Sequence, residues 1–169
     1  NLQGLYLPGG YPELYAEALS QNKAMRESIR KAVGGGLPCI AECGGFMYLT
    51  EAIGDFPMAG ALKGACFDTG KLTRFGYVTL TAQKDNLLCR AGETIPAHEF
   101  HHWDAEHPGE DFRAEKPSGR SWLCAHASKT LYAGFPHFHF YANPSFAVRF
   151  LDACRKESCH AGTNKAHGD

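Results

Sequence analysis

An α/β domain is what this sequence predicts, with a mixed, mainly parallel central sheet and helices on both of its faces. Two observations carry that expectation. Up to Asp55 the chain alternates short apolar runs with helix-length amphipathic segments, the pattern of βαβ units around a parallel sheet. Beyond Asp55, runs rich in strand-forming residues are separated by Gly, Asp and Asn turns, so further strands follow. With 169 residues, 44% of them hydrophobic, the chain can close one core but hardly two.

The elements follow in order. Residues 2–7, "LQGLYL", form an apolar strand stopped at Pro8-Gly9-Gly10. Pro12 to Leu19 reads as a short helix with proline in its first turn. Asn22 caps the helix "KAMRESIRKAV"; its Met25, Ile29 and Val33 fall on one face, and Gly34-Gly35-Gly36 ends it. "LPCIAEC" is the next strand and, after Gly44-Gly45, "FMYLTEAI" the next helix. "MAGALKGACFD", "RFGYVTLTAQ", "PAHEFHHW", "SWLCAHAS" and "TLYAGFPHFHF" read as five more strands. The last helix, "NPSFAVRFLDACRKES", has Asn143 as cap and Pro144 at its first position, with Phe146, Phe150, Leu151 and Cys154 inward. The domain is expected to span residues 1–158, with 159–169 a disordered tail.

Composition narrows the function. A net charge of −1 provides no basic face for nucleic acid or an anionic membrane. No apolar run approaches the roughly 20 residues of a membrane span, and "NLQGLYLPGG" lacks the basic head and cleavage site of a signal peptide. The seven cysteines are odd in number, scattered and free of CxxC pairs. They suit a reducing, cytoplasmic setting in which most thiols pack as small apolar residues and one is reactive. The chain opens almost at once on a strand, so it is expected to be a fragment of a longer polypeptide.

One stretch, "CIAECGGFMYL", sets Cys43 at a strand end between an acid and two glycines. Ligands collect at such strand ends in α/β sheets. Gly44 and Gly45 permit the tight turn of a nucleophile elbow. A helix N-terminus beyond it would favour the thiolate and offer N–H groups to an oxyanion. Cys39, inside the strand, reads as core packing. Glu42 is expected to pair with a basic residue behind the elbow, and Glu13 either charges the first turn of its helix or is solvated. A cysteine nucleophile needs a base, and nine histidines compete. His137 and His139 end the last strand and share a face, from which one could reach Cys43. His126 reads as a satisfied histidine within a strand. "HEFHH" fits the H-E-x-x-H zinc pattern, but that chemistry needs a helix, and Pro96 and the aromatics favour a strand. On a strand His98, Phe100 and His102 face one way, Glu99 and His101 the other. No metal is expected.

"LPGGYPELYAEALSQN", "AECGGFMYL", "FGYVTL", "HEFHHW" and "HFHFYANP", in this order, resemble the glutamine amidotransferase domains of the cobyrinic acid a,c-diamide synthases, in the cobyrinate/cobyric acid branch of the class I, triad-type amidotransferases. The resemblance runs from about residue 2 to about residue 155. It implies a class I amidotransferase-like, flavodoxin-like fold. It also implies that glutamine is hydrolysed at a cysteine and its ammonia passed to the a and c side-chain carboxylates of a corrinoid, activated by ATP. Cys43 matches the family nucleophile and His137 its histidine; His139 and Glu42 are possible support. Gly9, Gly10, Tyr11 and Gly44 match the oxyanion and glutamine-binding turns. His98, Glu99 and His101 match a domain interface or ammonia path. ATP and Mg2+ would belong to an N-terminal synthetase domain, since no GxxxxGK[ST] run occurs here.

Departures from the family leave two questions. Where other triad enzymes carry glutamate two residues after the histidine, this chain has His139, so the third triad member is open. Phe135-Pro136 and Pro96-Ala97 stand where the family has other residues, and Pro136 stiffens the approach to His137. An inert amidotransferase-like interaction domain, or amidation of another tetrapyrrole or carboxylate, are the alternatives.

Overall fold

The structure is a computed structural model; it describes the backbone of residues 2–163 and side chains as far as Glu157. The chain enters through β1 (Leu5–Leu7), a 3-10 turn at Pro12–Tyr15, α1 (Ala16–Gln21) and α2 (Lys23–Gly34). It continues through β2 (Cys39–Glu42), α3 (Gly44–Leu49), β3 (Ala52–Ile53), β4 (Phe56–Pro57), β5 (Ala65–Asp68), β6 (Arg74–Ala82), β7 (Thr94–His101) and β8 (Trp103–Ala105). It closes with β9 (Phe112–Glu115), β10 (Ser121–Cys124), β11 (His126–Ala127), β12 (Leu131–Gly134), β13 (His137–Phe138) and α4 (Pro144–Thr163).

The α/β class holds, with parallel pairing in the central sheet and between β3 and β5 of a smaller one. β1, β2 and β12 are parallel neighbours, and β11 adds an antiparallel edge. The longest strands form a separate antiparallel sheet, β10-β9-β6-β7-β13. A third, β4-β3-β5-β8, is small.

β2 is wholly buried, and its alternation feeds two cores. Ile40 joins Leu80, Phe112, Tyr132 and Phe146 of α4. Cys39 and Ala41 join Phe46, Leu49 and Ala133, with Ile29 and Val33 of α2 packed against them. Helices therefore cover both faces of β2. Asn22 does cap α2, accepting from the Met25 N–H at 3.2 Å.

Several elements end earlier than periodicity suggests. α3 stops at Leu49, not Ile53, because the buried Thr50 hydroxyl donates to the Met47 carbonyl at 2.7 Å and sits 3.1 Å from that of Ala52. "MAGALKGACFD" is strand only at β5. "SWLCAHAS" breaks at Ala125, whose φ is +59°, and its halves join different sheets. "TLYAGFPHFHF" breaks at Phe135-Pro136 in the same way. Leu151 and Met25, placed inward by period, are each 51% exposed because their helices meet the core on a narrower arc. α4 runs through residues 159–163 of the expected tail, since nothing before Gly162 breaks it; residues 164–169 lie outside the described residues.

Candidate active site

The break at Phe135-Pro136 builds the site. β12 lies parallel to β2, with Gly134 opposite Glu42. Beyond the two intervening residues β13 lies antiparallel to β7, with His137 opposite His98. The chain thus crosses from one sheet to the other directly over the end of β2, carrying His137 to Cys43. The buried Tyr132 hydroxyl steadies the crossing by donating to the Pro136 carbonyl at 3.3 Å.

Cys43 occupies the elbow between β2 and α3 with φ +47° and ψ −107°. A side chain at positive φ is uncommon outside sites that need it. Hydrogen bonds hold it there: its N–H donates to the Gly134 carbonyl at 2.8 Å, and its carbonyl accepts from the Met47 N–H at 2.9 Å. The elbow closes only because its neighbours lack side chains. A Cβ on Gly44 would come within 2.8 Å of the Gly10 carbonyl oxygen, and one on Gly45 would overlap the Leu7 carbonyl. Because that obstacle is backbone in β1, Gly45→Ala is expected to cost about 1–3 kcal/mol, read as a lower urea midpoint at unchanged slope.

His137 hydrogen-bonds Cys43 and turns Nδ1 toward Glu42 Oε2, 3.6 Å away. The Cys43 contact first, and Glu42 second, push the His137 imidazole up to about 10 against the cost of burial. Glu42 is only 3% exposed, and both its oxygens are committed. Oε1 accepts from the Phe138 N–H at 2.9 Å and Oε2 from the Tyr6 hydroxyl at 2.8 Å. Its partners are thus a tyrosine, a backbone amide and the histidine, not the basic residue expected. Tyr6, on β1, escaped the sequence reading because nothing marks one tyrosine of a strand as a carboxylate clamp.

Cys43 and His137 line a cavity of about 210 Å³, with Gly10, Tyr11, Glu13, Met47 and residues of β7 and β8 around them. Gly9 belongs to the same constellation, since a Cβ there would overlap the His137 ring. His139 does not: it is exposed and tilts against Tyr141. The sequence offers Glu13 as a helix-end or solvated charge. It makes no capping bond, and its Oε2 is buried without a hydrogen-bond partner among the described residues.

β7 presents the two faces its sequence predicts, which places "HEFH" on a strand, with His102 just beyond its end. On the outer face His98 and Phe100 meet Phe75 and Tyr77 of β6, edge to face. Phe75 is 57% and Tyr77 77% exposed, leaving an aromatic patch beside the cavity. On the inner face Glu99 and His101 are buried. Burial pushes the Glu99 carboxyl up to about 7, with Arg74 opposing, and pulls the His101 imidazole down. His101 stacks on Phe135 at 3.9 Å and lines both the Cys43 cavity and a smaller one holding Glu99. Cys39 is a core thiol, pushed up to about 12 by burial.

A cysteine on a strained elbow, facing a histidine backed by a buried acid, has the geometry of a nucleophile, its base and an orienting group. Solved structures agree on the fold. PurLQS from Thermotoga maritima superposes with a TM-score of 0.58 at 18% identity, over 90% of this chain and 78% of that one. A crystal structure of a glutamine amidotransferase gives 0.57 at 18% identity, over 90% and 79%. The CobB/CobQ-like glutamine amidotransferase domain matches residues 1–145. A cobyrinate a,c-diamide synthase of Caldanaerobacter subterraneus subsp. tengcongensis is 38% identical over 160 residues, 90% of this chain and 35% of that protein. One from Fusobacterium nucleatum is 41% identical over 152 residues, 84% of this chain and 33% of that protein. The chain belongs to the CobB/CobQ-like glutamine amidotransferase family and spans about a third of the length of these curated relatives.

Proposed function

We propose that this chain is the glutaminase part of a cobyrinate a,c-diamide synthase, acting in the cytoplasm in cobalamin biosynthesis. The observation that carries the reading is the contact between Cys43, on its positive-φ elbow, and His137, with Glu42 behind it. His137 takes the Cys43 proton, and the thiolate attacks the side-chain amide carbon of glutamine. Backbone N–H groups at Gly10 and Gly44, held together by the glycine contact, receive the oxyanion. His137 returns the proton to the departing nitrogen, and ammonia leaves. Water, deprotonated by His137, then releases glutamate from the thioester. Glu42 keeps the imidazole oriented and supports its charged form.

The corrinoid, its a and c carboxylates, ATP and Mg2+ belong to the remaining two-thirds of the relatives' length, and no step on this chain runs through them. The aromatic patch around Tyr77 and His98 is the face offered to that remainder. The inner side of β7, at His101 and Glu99, is the path by which ammonia leaves. An inert interaction domain would have no reason to hold Cys43 in the left-handed region against a histidine.

The test is mass spectrometry after exposure to 6-diazo-5-oxo-L-norleucine, a glutamine-mimicking electrophile. A single adduct on Cys43, lost in His137→Ala, is expected. The buried cysteines Cys39, Cys66 and Cys124, each pushed up to about 12 by burial, should remain unlabelled. Labelling of any of them in place of Cys43 would overturn the assignment.

A further inference from the structure

Among the described residues Glu13 is the carboxylate that lines the Cys43 cavity, and it is held there for no structural reason the fold discloses. It lies in the 3-10 turn at Pro12–Tyr15, makes no capping bond, and its Oε2 is buried without a partner. A carboxylate oxygen shut away from water with nothing donating to it costs about 1–3 kcal/mol. A fold keeps such a group where a ligand completes it. The turn is rigid: Pro12 fixes its first residue, the Leu14 N–H donates to the Tyr11 carbonyl at 3.2 Å, and Gly10 abuts Gly44 of the elbow. The loop that places Gly10 beside the reacting carbon therefore also fixes Glu13 relative to Cys43.

What would complete Glu13 is a cation small enough for a cavity of about 210 Å³ that, on the proposed reading, must also take an amide at Cys43. Glutamine carries one at the end opposite its amide, an ammonium with three N–H donors. We propose that Glu13 receives the α-ammonium of the substrate, so that the site takes glutamine as a free amino acid and rejects γ-amides whose α-nitrogen is missing or acylated. This rests on the reading of Cys43 as the glutaminase nucleophile. Glu13 is then the specificity-determining residue, remote from the bonds that change.

The proposal is tested by binding, without chemistry, on Cys43→Ala in the full polypeptide that carries this chain. Calorimetry compares L-glutamine with glutaramate, which keeps the amide and carboxylate but lacks the α-nitrogen. Glu13→Gln preserves shape and removes the charge. It is expected to weaken glutamine binding about 10- to 100-fold, the loss of one charge-assisted pair, and to leave the weaker glutaramate binding unchanged. Glu13→Asp should recover part of the loss. Glutamine binding within twofold of the parent in Glu13→Gln, an equal loss for both compounds, or no discrimination between them in the parent would each overturn the proposal. Failure of the diazo electrophile to label Cys43, with glutamine still discriminated through Glu13, would remove the nucleophile assignment alone.

Discussion

Cys43→Ala is expected to abolish glutamine-dependent turnover, by about 10⁴-fold or more, as loss of a covalent nucleophile does. The argument is geometric. Cys43 lies in direct contact with the imidazole, and its backbone is pinned from both sides. No other described cysteine is placed to substitute. Cys39 points into the core from β2, and Cys66 is hydrogen-bonded with the buried Thr50 hydroxyl. The change should not unfold the protein, because alanine fills nearly the same volume and the pinning bonds are backbone bonds. In the full polypeptide, amidation driven by added ammonium salt should survive, since the variant removes only the source of ammonia. Steady-state rates with glutamine and with ammonium chloride, measured side by side, separate the outcomes. Glutamine-driven turnover that persists in Cys43→Ala would sink the site, and joint loss of both activities would mean that Cys43 supports structure rather than chemistry.

Much of this arrangement was legible in the chain. The β2–elbow–α3 unit follows from "CIAECGGF", because glycines after a strand end have few other uses. The face-by-face division of β7 follows from the period of a strand. What the sequence concealed was contact between distant segments. The place two residues after the histidine, where other triad enzymes carry glutamate, holds His139 here, and the structure leaves it exposed. The carboxylate that faces the imidazole is that of Glu42, next to Cys43, because the crossing at Phe135-Pro136 lowers His137 over β2 itself. The sequence offers Glu42 only as one possible support beside His139, because its partners Tyr6 and the Phe138 amide lie 36 and 96 residues away in the chain. Glu13 was hidden for a related reason, since burial of a single oxygen depends on walls that other elements supply. The extent of the antiparallel sheet was underestimated because β9, "FRAE", is too short and too charged to register as a strand alone.

Glu42→Gln is expected to lower the rate of Cys43 labelling and of glutamine hydrolysis about 10²-fold, a share of the general-base contribution, with KM little changed. Glutamine at this position keeps the volume but cannot accept from both Tyr6 and Phe138 while facing the imidazole. His137 therefore loses both its orientation and a favourable charge. A merely structural role would lower stability without altering the pH response, so the pH response is the deciding measurement. In the folded protein the His137 imidazole is pushed up to about 10, by Cys43 and then by Glu42, from an ordinary value near 6.5. A group whose folded value is raised contributes stability that is fully present below its unfolded value and lost as pH rises through its folded one. The urea midpoint should accordingly fall across the window from about 6.5 up to the folded value near 10. That fall should shrink in Glu42→Gln, because the second of the two causes is gone. Tyr6→Phe provides the control. It removes one bond to Glu42 at a cost of about 1 kcal/mol, yet leaves the carboxylate charge beside His137, so stability should drop while the pH slope stays near that of the parent. An unchanged slope in Glu42→Gln would show that Cys43 alone sustains the imidazolium, leaving a two-residue site in which Glu42 only fastens β13 to β2.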